Sequence, residues 1–442
     1  MRGLMIVILI ALLSFGYMLI GSQNMGQYFL FAVFCILNTG IILMFIKDGI
    51  RKNLIYLFAF ISWLLYNALG FYHVTYVNTY IEDSYITRVY LLLILSTILI
   101  LLPILIAKKH VRKGFKRLRN LRLSYNAILL FLLISVGFQL YMISSAGGFD
   151  AYTNASYGAK VDSGLRTFFQ LFGAILGSVG MFIMPLIFGN YGIKKKIVAI
   201  SYLLFGLILS VIGGHSSGLL GTALSLFIFG YFSTNKKSTH LKLRTFALVA
   251  IPLGIIGGIL IRMNRSDMSE FSLDSLNGSV TEIMVSPTFD NVVNCGYVLE
   301  NMEPVNAPEQ FIYPFVNFLP RAVFPWKPME LGRIVGMKYV GTTEESLAGF
   351  IPSPVGEFYY DFGYIGIIFG MLFVGFVIGY VQEKLNRTYP QSVWILAFVV
   401  SFGGSTEILY AWYTGMFTGL VRWLIFLIVF FSFNKLCRRS LA

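Results

Sequence analysis

Long apolar runs, separated by short polar stretches, dominate the pattern along the chain. The runs show no sustained period-2 alternation, which argues against a transmembrane barrel. Each run is close to the about 20 residues that a helix needs to cross the hydrocarbon core of a bilayer. The pattern predicts about twelve spanning helices, at residues 4–21, 27–46, 54–72, 88–107, 125–145, 167–190, 197–213, 217–234, 245–261, 363–381, 392–410 and 416–434.

Composition supports a membrane protein over a soluble one. Apolar residues make up 57% of the 442 and charged residues only 12%, against roughly 25% charged in soluble domains. We therefore predict an all-α polytopic membrane protein in which residues 1–442 form a single transmembrane domain. Arg2 is the only basic residue before the first span, and no small-residue cleavage site is clear before Gln23. We therefore predict an uncleaved helix there.

Basic residues are distributed unevenly between the predicted loops. With a cytoplasmic N-terminus, 24 of the 34 Lys and Arg residues lie on the inner side, together with only Asp48 and Glu383 of the 20 acids. This bias predicts cytoplasmic N- and C-termini. The basic run 108–122 is typical of a solvated face on anionic lipid, so we expect no nucleic-acid partner.

The cysteines and acids give no sign of a metal or a disulfide framework. Cys35 lies in a predicted helix, Cys295 in an external loop and Cys437 in the cytoplasm, so no structural disulfide is expected. No zinc or haem spacing occurs, and no Asp-x-Asp pair occurs in the external loops. We predict neither a metal nor a cofactor.

Polar chemistry is concentrated in the predicted external loops. The longest, residues 262–362, mixes aromatic side chains with charges of both signs, and a second polar loop covers residues 147–167. Loops this long are usually functional, and helical stretches within the longer one are expected to lie in the membrane interface. A transporter would instead place polar residues near the bilayer midplane. Arg422, near Glu407, is the exception, and it is either a buried ion pair or a functional group.

Two groups of basic residues on the long loop could bind a phosphate. Arg262 and Arg265 follow the span 245–261 at spacing i, i+3, which suits a lipid pyrophosphate but also fits residues that snorkel at a helix end. Farther along, residues 313–328 read YPFVNFLPRAVFPWKP. Its prolines would hold Arg321 and Lys327 rigidly beside Trp326, as in a site for an anion and a sugar, or would form a connector docked on the membrane.

The run FLPRAVFPWKP, followed by SPVGEFYYDFGYIG at residues 353–366, resembles the Wzy-type oligosaccharide repeat-unit polymerases, or O-antigen polymerases. The VIGGHSSGLLG stretch at residues 211–221 is similar to a further family position, at which many members carry Arg and this chain has His215. The resemblance covers most of the chain in topology. In residues it is confined to about 211–221, 262–265 and 313–366.

The resemblance implies a fold like that of GT-C-type glycosyltransferases and O-antigen ligases, and a reaction at the outer leaflet of a bacterial cytoplasmic membrane. The growing glycan passes from undecaprenyl pyrophosphate to a sugar hydroxyl of an incoming lipid-linked repeat unit, without a nucleotide sugar, metal or cofactor. The implied partners are undecaprenyl-pyrophosphate-linked oligosaccharides, membrane lipids, a chain-length regulator and a flippase. A ligase with another acceptor, and a lipid-linked glycan flippase or transporter, are the alternatives.

A leaving pyrophosphate needs positive charge and an attacking hydroxyl needs a base. The candidate cations are Arg262, Arg265, Arg321, Lys327 and Arg333, with Trp326 as a sugar platform. The candidate bases are Glu357, His215 and Asp290, with Glu344 and Glu345 behind them. The structural alternatives are that Glu357 faces a helix dipole, His215 caps a turn and Asp290 is a solvated loop acid. Asp361 is predicted to cap the span 363–381.

Overall fold

A computed structural model describes residues 23–76, 81–110, 125–145, 148, 192–212, 290–316, 324–340, 350–387, 428, 429 and 432. Every regular element in these residues is helical. The α-helices are α1 Gln23–Asp48, α2 Leu54–Tyr76, α3 Asp83–His110, α4 Tyr125–Ser145, α5 Ile193–Ile212, α6 Asn291–Asn301, α7 Glu309–Val316, α8 Leu331–Val335 and α9 Ser353–Arg387. A 3₁₀ turn, Ile50–Asn53, precedes α2, and a π turn, Gly336–Val340, follows α8.

Four of these helices are long and apolar enough to cross a membrane. The apolar stretches are Gly26–Asp48, Leu54–Phe71, Asp83–Lys109 and Ser353–Glu383. They coincide with the predicted spans 27–46, 54–72, 88–107 and 363–381, and the predicted spans 125–145 and 197–213 are also helices. The chain is therefore an α-helical multi-pass membrane protein.

Several predictions fall on other parts of the chain. The predicted spans 4–21, 167–190, 217–234, 245–261 and 392–410 lie outside the described residues, as does nearly all of 416–434. All of the external loop 147–167 except residue 148 also lies outside them, as do the pair of Arg422 and Glu407 and the candidates His215, Arg262 and Arg265. The total of twelve spans and the cytoplasmic placement of the termini stay predictions.

The four long helices have defined relative directions. Ile55, near the start of α2, donates its backbone N–H to Gln382 Oε1 near the end of α9, at 2.7 Å. Gln27, near the start of α1, donates to the backbone oxygen of Asp83, the first residue of α3, at 3.1 Å. A Cβ at Gly375 would meet the backbone of Ile100, and one at Gly379 the backbone of Ile104. Helices α1, α3 and α9 therefore run in one direction and α2 runs in the other.

The bundle consequently has two distinct ends. The Lys108 end, which includes the C-terminal ends of α1 and α3, carries an ion pair between Lys108 and Asp48. The buried Asn53 side chain donates to Asp48 and to the backbone of Phe45 there. The opposite end, where α9 begins, is called the Ser353 end. The predicted topology assigns the Ser353 end to the outer side of the membrane.

Aromatic side chains fill the space between α1, α2 and α3. Trp63, fully buried, donates its indole N–H to Thr97 Oγ1 at 2.9 Å. Tyr90, also buried, donates its hydroxyl proton to the backbone oxygen of Asn67 at 3.0 Å. The rings of Phe31 and Phe71 stack with centroids 4.1 Å apart. The polar atoms inside the bundle are therefore used to lock helices together, as expected where no water can satisfy them.

Helix α9 is two helices joined across a break. Phe362 has φ −144° and ψ 19°, and Gly363 has φ 63° and ψ −150°, a region that only glycine enters readily. The break separates the head of α9 (residues 353–361) from its long apolar part. Tyr360 and Asp361 end the head, and their backbone oxygens accept from the N–H groups of Val305 and Ala307 at 2.9 and 3.1 Å. The break thus frees two carbonyls that anchor the chain between α6 and α7.

Candidate functional site

Helix α6 packs between the spans although its sequence, NVVNCGYVLEN, is only weakly apolar. Its Asn291 donates to Asn67 Oδ1 of α2 at 3.0 Å, and Asn67 in turn donates to the backbone oxygen of Trp63. Gly70 permits this approach, because a Cβ there would lie 2.6 Å from a methyl carbon of Val292. Part of the predicted external loop therefore packs against a candidate membrane span.

Helix α6 also contacts the head of α9 and the residues that lead into it. Asn294, fully buried, donates to the backbone oxygen of Ile351 at 3.5 Å. A Cβ at Gly356 would lie 3.6 Å from the Cα of Cys295, so the two backbones nearly touch there. Ser353, which opens α9 with φ 58° and a buried side chain, lies beside the Cys295 thiol. A non-glycine residue in this conformation is uncommon and indicates a constrained position.

The two candidate acids that the structure describes lie on these paired helices. Glu357, one turn beyond Ser353, is fully buried. Asp290 occupies the N-cap position of α6 without a side-chain cap hydrogen bond, and it is half-buried. It lies roughly 7 to 8 Å along the helix axis from Cys295, given a rise of about 1.5 Å per residue. Neither acid has the open, solvated position of an ordinary loop residue.

Two of the candidate binding residues lie on the stretch that leads into α8, and a third, Arg333, lies within α8. Residues 324–327 form a turn in which Lys327 donates its backbone N–H to the oxygen of Phe324 at 3.1 Å. Trp326, whose ring makes an edge contact with Phe324, is 63% exposed, and Lys327 is half-buried. Arg333 lies 3.8 Å from Glu330, so part of its charge is already compensated. Arg321 lies outside the described residues.

Gln310 fixes this stretch to α7. Its side chain is fully buried, donates to the backbone oxygen of Met329 at 3.0 Å and accepts from the N–H of Leu331 at 2.9 Å. Tyr313, one turn along α7, donates to Glu330 at 3.3 Å. These contacts hold residues 329–331, directly after the bend that carries Trp326 and Lys327.

Asp361 connects α7 to the head of α9. Its carboxylate is fully buried and accepts the N–H groups of Gln310 and Phe311 at 2.9 and 3.1 Å. The prediction that Asp361 caps the span 363–381 is wrong, because both carboxylate oxygens are directed at the first turn of α7 instead. The N–H groups at a helix start need an acceptor, and an acid there also complements the helix dipole.

A small apolar core joins the helices that carry Asp290 and Glu357 to the segment that carries Lys327 and Arg333. Val298 and Met302 of α6 pack with Leu331 and Val335 of α8 and with Phe350. Phe350 donates its N–H to the backbone oxygen of Gly332 at 3.2 Å, which pins α8 beside the entry to α9. The Ser353 end therefore assembles Asp290, Glu357, Trp326, Lys327 and Arg333 on one packed unit.

Burial and charge raise the pKa of titratable groups near this core. Burial raises the pKa of the Cys295 thiol to about 12, and a bond to Ser353 lowers it by less. Burial, followed by the negative charge of Glu82, raises the pKa of Glu300 on the last turn of α6. Among the described residues, no group of three or more His, Cys, Asp or Glu side chains is arranged to hold a metal ion.

Sequence reasoning missed Gln310, Asn291 and Asn294. Asn291 and Asn294 share one face of α6 at spacing i, i+3, which is a signal for a polar helix contact. Gln310 gave no signal, because its partners are two backbone groups about twenty residues away.

No protein-family model, no curated protein and no solved structure matches this chain.

Proposed function

We propose that the protein is a glycosyltransferase that polymerises undecaprenyl-pyrophosphate-linked oligosaccharide repeat units, working in a bacterial cytoplasmic membrane with both termini in the cytoplasm. One observation carries the proposal. Met329, which directly follows the Wzy-type run FLPRAVFPWKP, is bonded to Gln310, and Gln310 is bonded to Asp361 of the second run, residues 353–366. A pattern that is split in sequence and joined in the fold is typical of a shared site.

The reaction needs a cation and a base at one place. The hydroxyl oxygen of the incoming repeat unit forms a bond to the anomeric carbon of the growing glycan. The bond from that carbon to the pyrophosphate oxygen breaks, and undecaprenyl pyrophosphate leaves with the electron pair. The hydroxyl proton passes to a base. Positive charge near the departing oxygen lowers the barrier most, because the charge develops there in the transition state.

Lys327 is the first candidate for the pyrophosphate contact among the described residues. It is half-buried, and the residues that follow it are held by Gln310 and Tyr313 of α7, which limits the region that its ammonium group can reach. Arg333 is a weaker candidate because Glu330 lies 3.8 Å away. Arg321, Arg262 and Arg265 complete the proposed set, and Trp326 offers a ring face for a sugar.

Glu357 is the first candidate for the base. It is fully buried on the head of α9, on the same packed unit as Lys327. A base must lie within hydrogen-bond reach of the proton that it removes, and the packed head of α9 fixes where Glu357 lies. Asp290 and His215 are the other candidates.

Reconstitution tests the reaction directly. The purified protein in proteoliposomes is supplied with lipid-linked oligosaccharides extracted from the membranes of the source cells, and the products are separated on a gel. A ladder of glycans spaced by one repeat unit is expected. A single transfer to a different acceptor, which a ligase would give, overturns the proposal. Translocation without a new glycosidic bond, which a flippase would give, overturns it as well.

Variants then assign the residues. Arg321→Ala, Lys327→Ala and Glu357→Gln are each expected to abolish the ladder while the protein stays folded and inserted. Lys338→Ala is the matched control, since Lys338 is an exposed lysine on the π turn of the same unit. A ladder of normal length from Lys327→Ala would remove Lys327 from the site.

A further inference from the structure

Helix α7 has two faces of opposite character. Gln310, Pro314 and Val316 are buried against the rest of the Ser353 end. Phe311 and Phe315, one turn apart, leave 38% and 43% of their surfaces exposed. Their rings also contact each other, with centroids 6.1 Å apart. Two large aromatic rings on the outer face of a short helix are a costly arrangement in water.

The level of α7 relative to the bilayer is fixed by Asp361. That carboxylate, two residues before Gly363, accepts the first N–H groups of α7. Beyond Gly363, α9 carries exposed apolar side chains that recur every three or four residues between residues 365 and 376. These side chains, with their exposed fractions, are Ile365 66%, Phe369 69%, Phe373 43% and Phe376 57%. Such a stripe on a membrane span is a lipid-facing surface, so α7 begins at the height where that surface begins.

Trp326 and Lys327 lie within three residues of a direct contact with α7. Met329, three residues after Trp326, is bonded to Gln310, the neighbour of Phe311. Trp326 is 63% exposed and is followed by a lysine. Tryptophan favours the boundary between headgroups and acyl chains, and lysine favours the headgroups next to it.

We infer that Phe311, Phe315 and Trp326 form one anchor that inserts into the lipid monolayer at the Ser353 end. The occupant of this surface is the bilayer in which the chain itself resides. The lipid-facing stripe of α9 continues into the anchor across the Phe362–Gly363 break, and Phe362 itself is 41% exposed. The anchor holds the bend of residues 324–327 at headgroup depth. Its test requires no substrate, so its outcome is separate from that of the proposed reaction, in which Trp326 is the candidate for stacking on a sugar.

Quenching of Trp326 by brominated lipids measures its depth. The protein is reconstituted in phosphatidylcholine with bromines at acyl carbons 6 and 7, or at carbons 11 and 12. Subtracting the signal of Trp326→Phe isolates Trp326 from the other four tryptophans. At least half of the Trp326 emission should be quenched by the shallow bromines, and less by the deep ones. Stronger quenching by the deep bromines overturns the placement. Quenching by aqueous iodide with none from either lipid also overturns it.

A second comparison tests whether the three rings act together. In Phe311→Ser/Phe315→Ser, the quenching of Trp326 by shallow bromines should fall at least twofold. Phe369→Ser is the matched control, because Phe369 is as exposed as Trp326 but lies on the long part of α9. Unchanged quenching in the double variant overturns the single-anchor inference. An equal fall in Phe369→Ser does so too.

Discussion

Asp361 Oδ1 accepts the backbone N–H of Gln310 at 2.9 Å, across 51 residues of chain. The second oxygen accepts from Phe311 at 3.1 Å. One carboxylate thus joins α7 to the helix that carries Glu357, and α7 in turn holds the stretch after Lys327 through Gln310. Its removal should loosen the site without touching a residue of the proposed chemistry.

Asp361→Asn keeps the shape of the side chain and replaces one acceptor oxygen with an NH₂ group. That group would face an N–H, so the variant loses one hydrogen bond and places two donors together. The expected loss is about 1 to 3 kcal/mol of stability, which is the usual cost of leaving a buried polar group unsatisfied. The thermal midpoint in detergent measures it. Glu303→Gln, an exposed acid near the same segment, is the control and should be neutral. Equal midpoints for both variants would contradict the role given to Asp361.

Gln310→Leu should free the bend of residues 324–331. Leucine fills a similar volume but leaves the Met329 oxygen and the Leu331 N–H without their partners. Hydrogen exchange of peptides covering residues 324–335 is expected to quicken about tenfold or more, since each lost buried bond costs on the order of 1 kcal/mol or above. Asn301→Ala is the control, because the Asn301 side chain is exposed and bonds only locally at 3.3 Å. Unchanged hydrogen exchange in Gln310→Leu would refute the role given to Gln310.

Gly363→Ala should destabilise the protein, whereas Gly40→Ala should not. Gly363 has φ 63° and ψ −150°, where an alanine is strained by about 1 to 3 kcal/mol. Gly40 also lies in a membrane span, and a Cβ there would meet nothing within 4 Å. The measurement is the difference in thermal midpoint between the two variants in the same detergent. A midpoint for Gly363→Ala at or above that of Gly40→Ala would show that the break is not required.

Cys295 should resist alkylation in the folded protein. Its thiol is buried and its pKa is raised to about 12, so at pH 8 its thiolate fraction is on the order of a thousandfold below that of an ordinary cysteine. Labelling with a maleimide should therefore need prior unfolding, as followed by mass spectrometry of the peptide that contains Cys295. Val305→Cys provides an exposed thiol nearby and should label at once. Rapid labelling of Cys295 in the native protein would mean that α6 is not packed as described.

The long helices were predictable because their signal is local. Apolar runs of the right length placed α1 to α5 and the long part of α9 within a few residues. The predicted start of a span at residue 363 coincides with the break, but the helical head before it, residues 353–361, was not predicted. The position of α6 was also hidden, since its partners Asn67 and Gly70 lie more than 200 residues earlier.

The candidate site was predictable in residue type and only partly in arrangement. Basic and aromatic residues between prolines indicated the segment with Trp326 and Lys327. The burial of Glu357 depends on how closely α6 approaches α9, which Gly356 permits. The actual partner of Asp361 depends on tertiary contacts, so the local rule for helix caps assigned it to the wrong helix.

The break at Gly363 allows the position of the proposed site to be independent of the thickness of the surrounding bilayer. Bilayers differ by a few Å in hydrocarbon thickness, and spanning helices adapt by tilting. In an unbroken helix, a tilt of about 10° would displace the far end of the head of α9, about 13 Å away, by about 2 Å. With the break, the long part of α9 can reorient while Val305, Ala307 and Gln310 keep the head in register. Activity should therefore depend little on acyl-chain length, even though most of the protein is immersed in lipid.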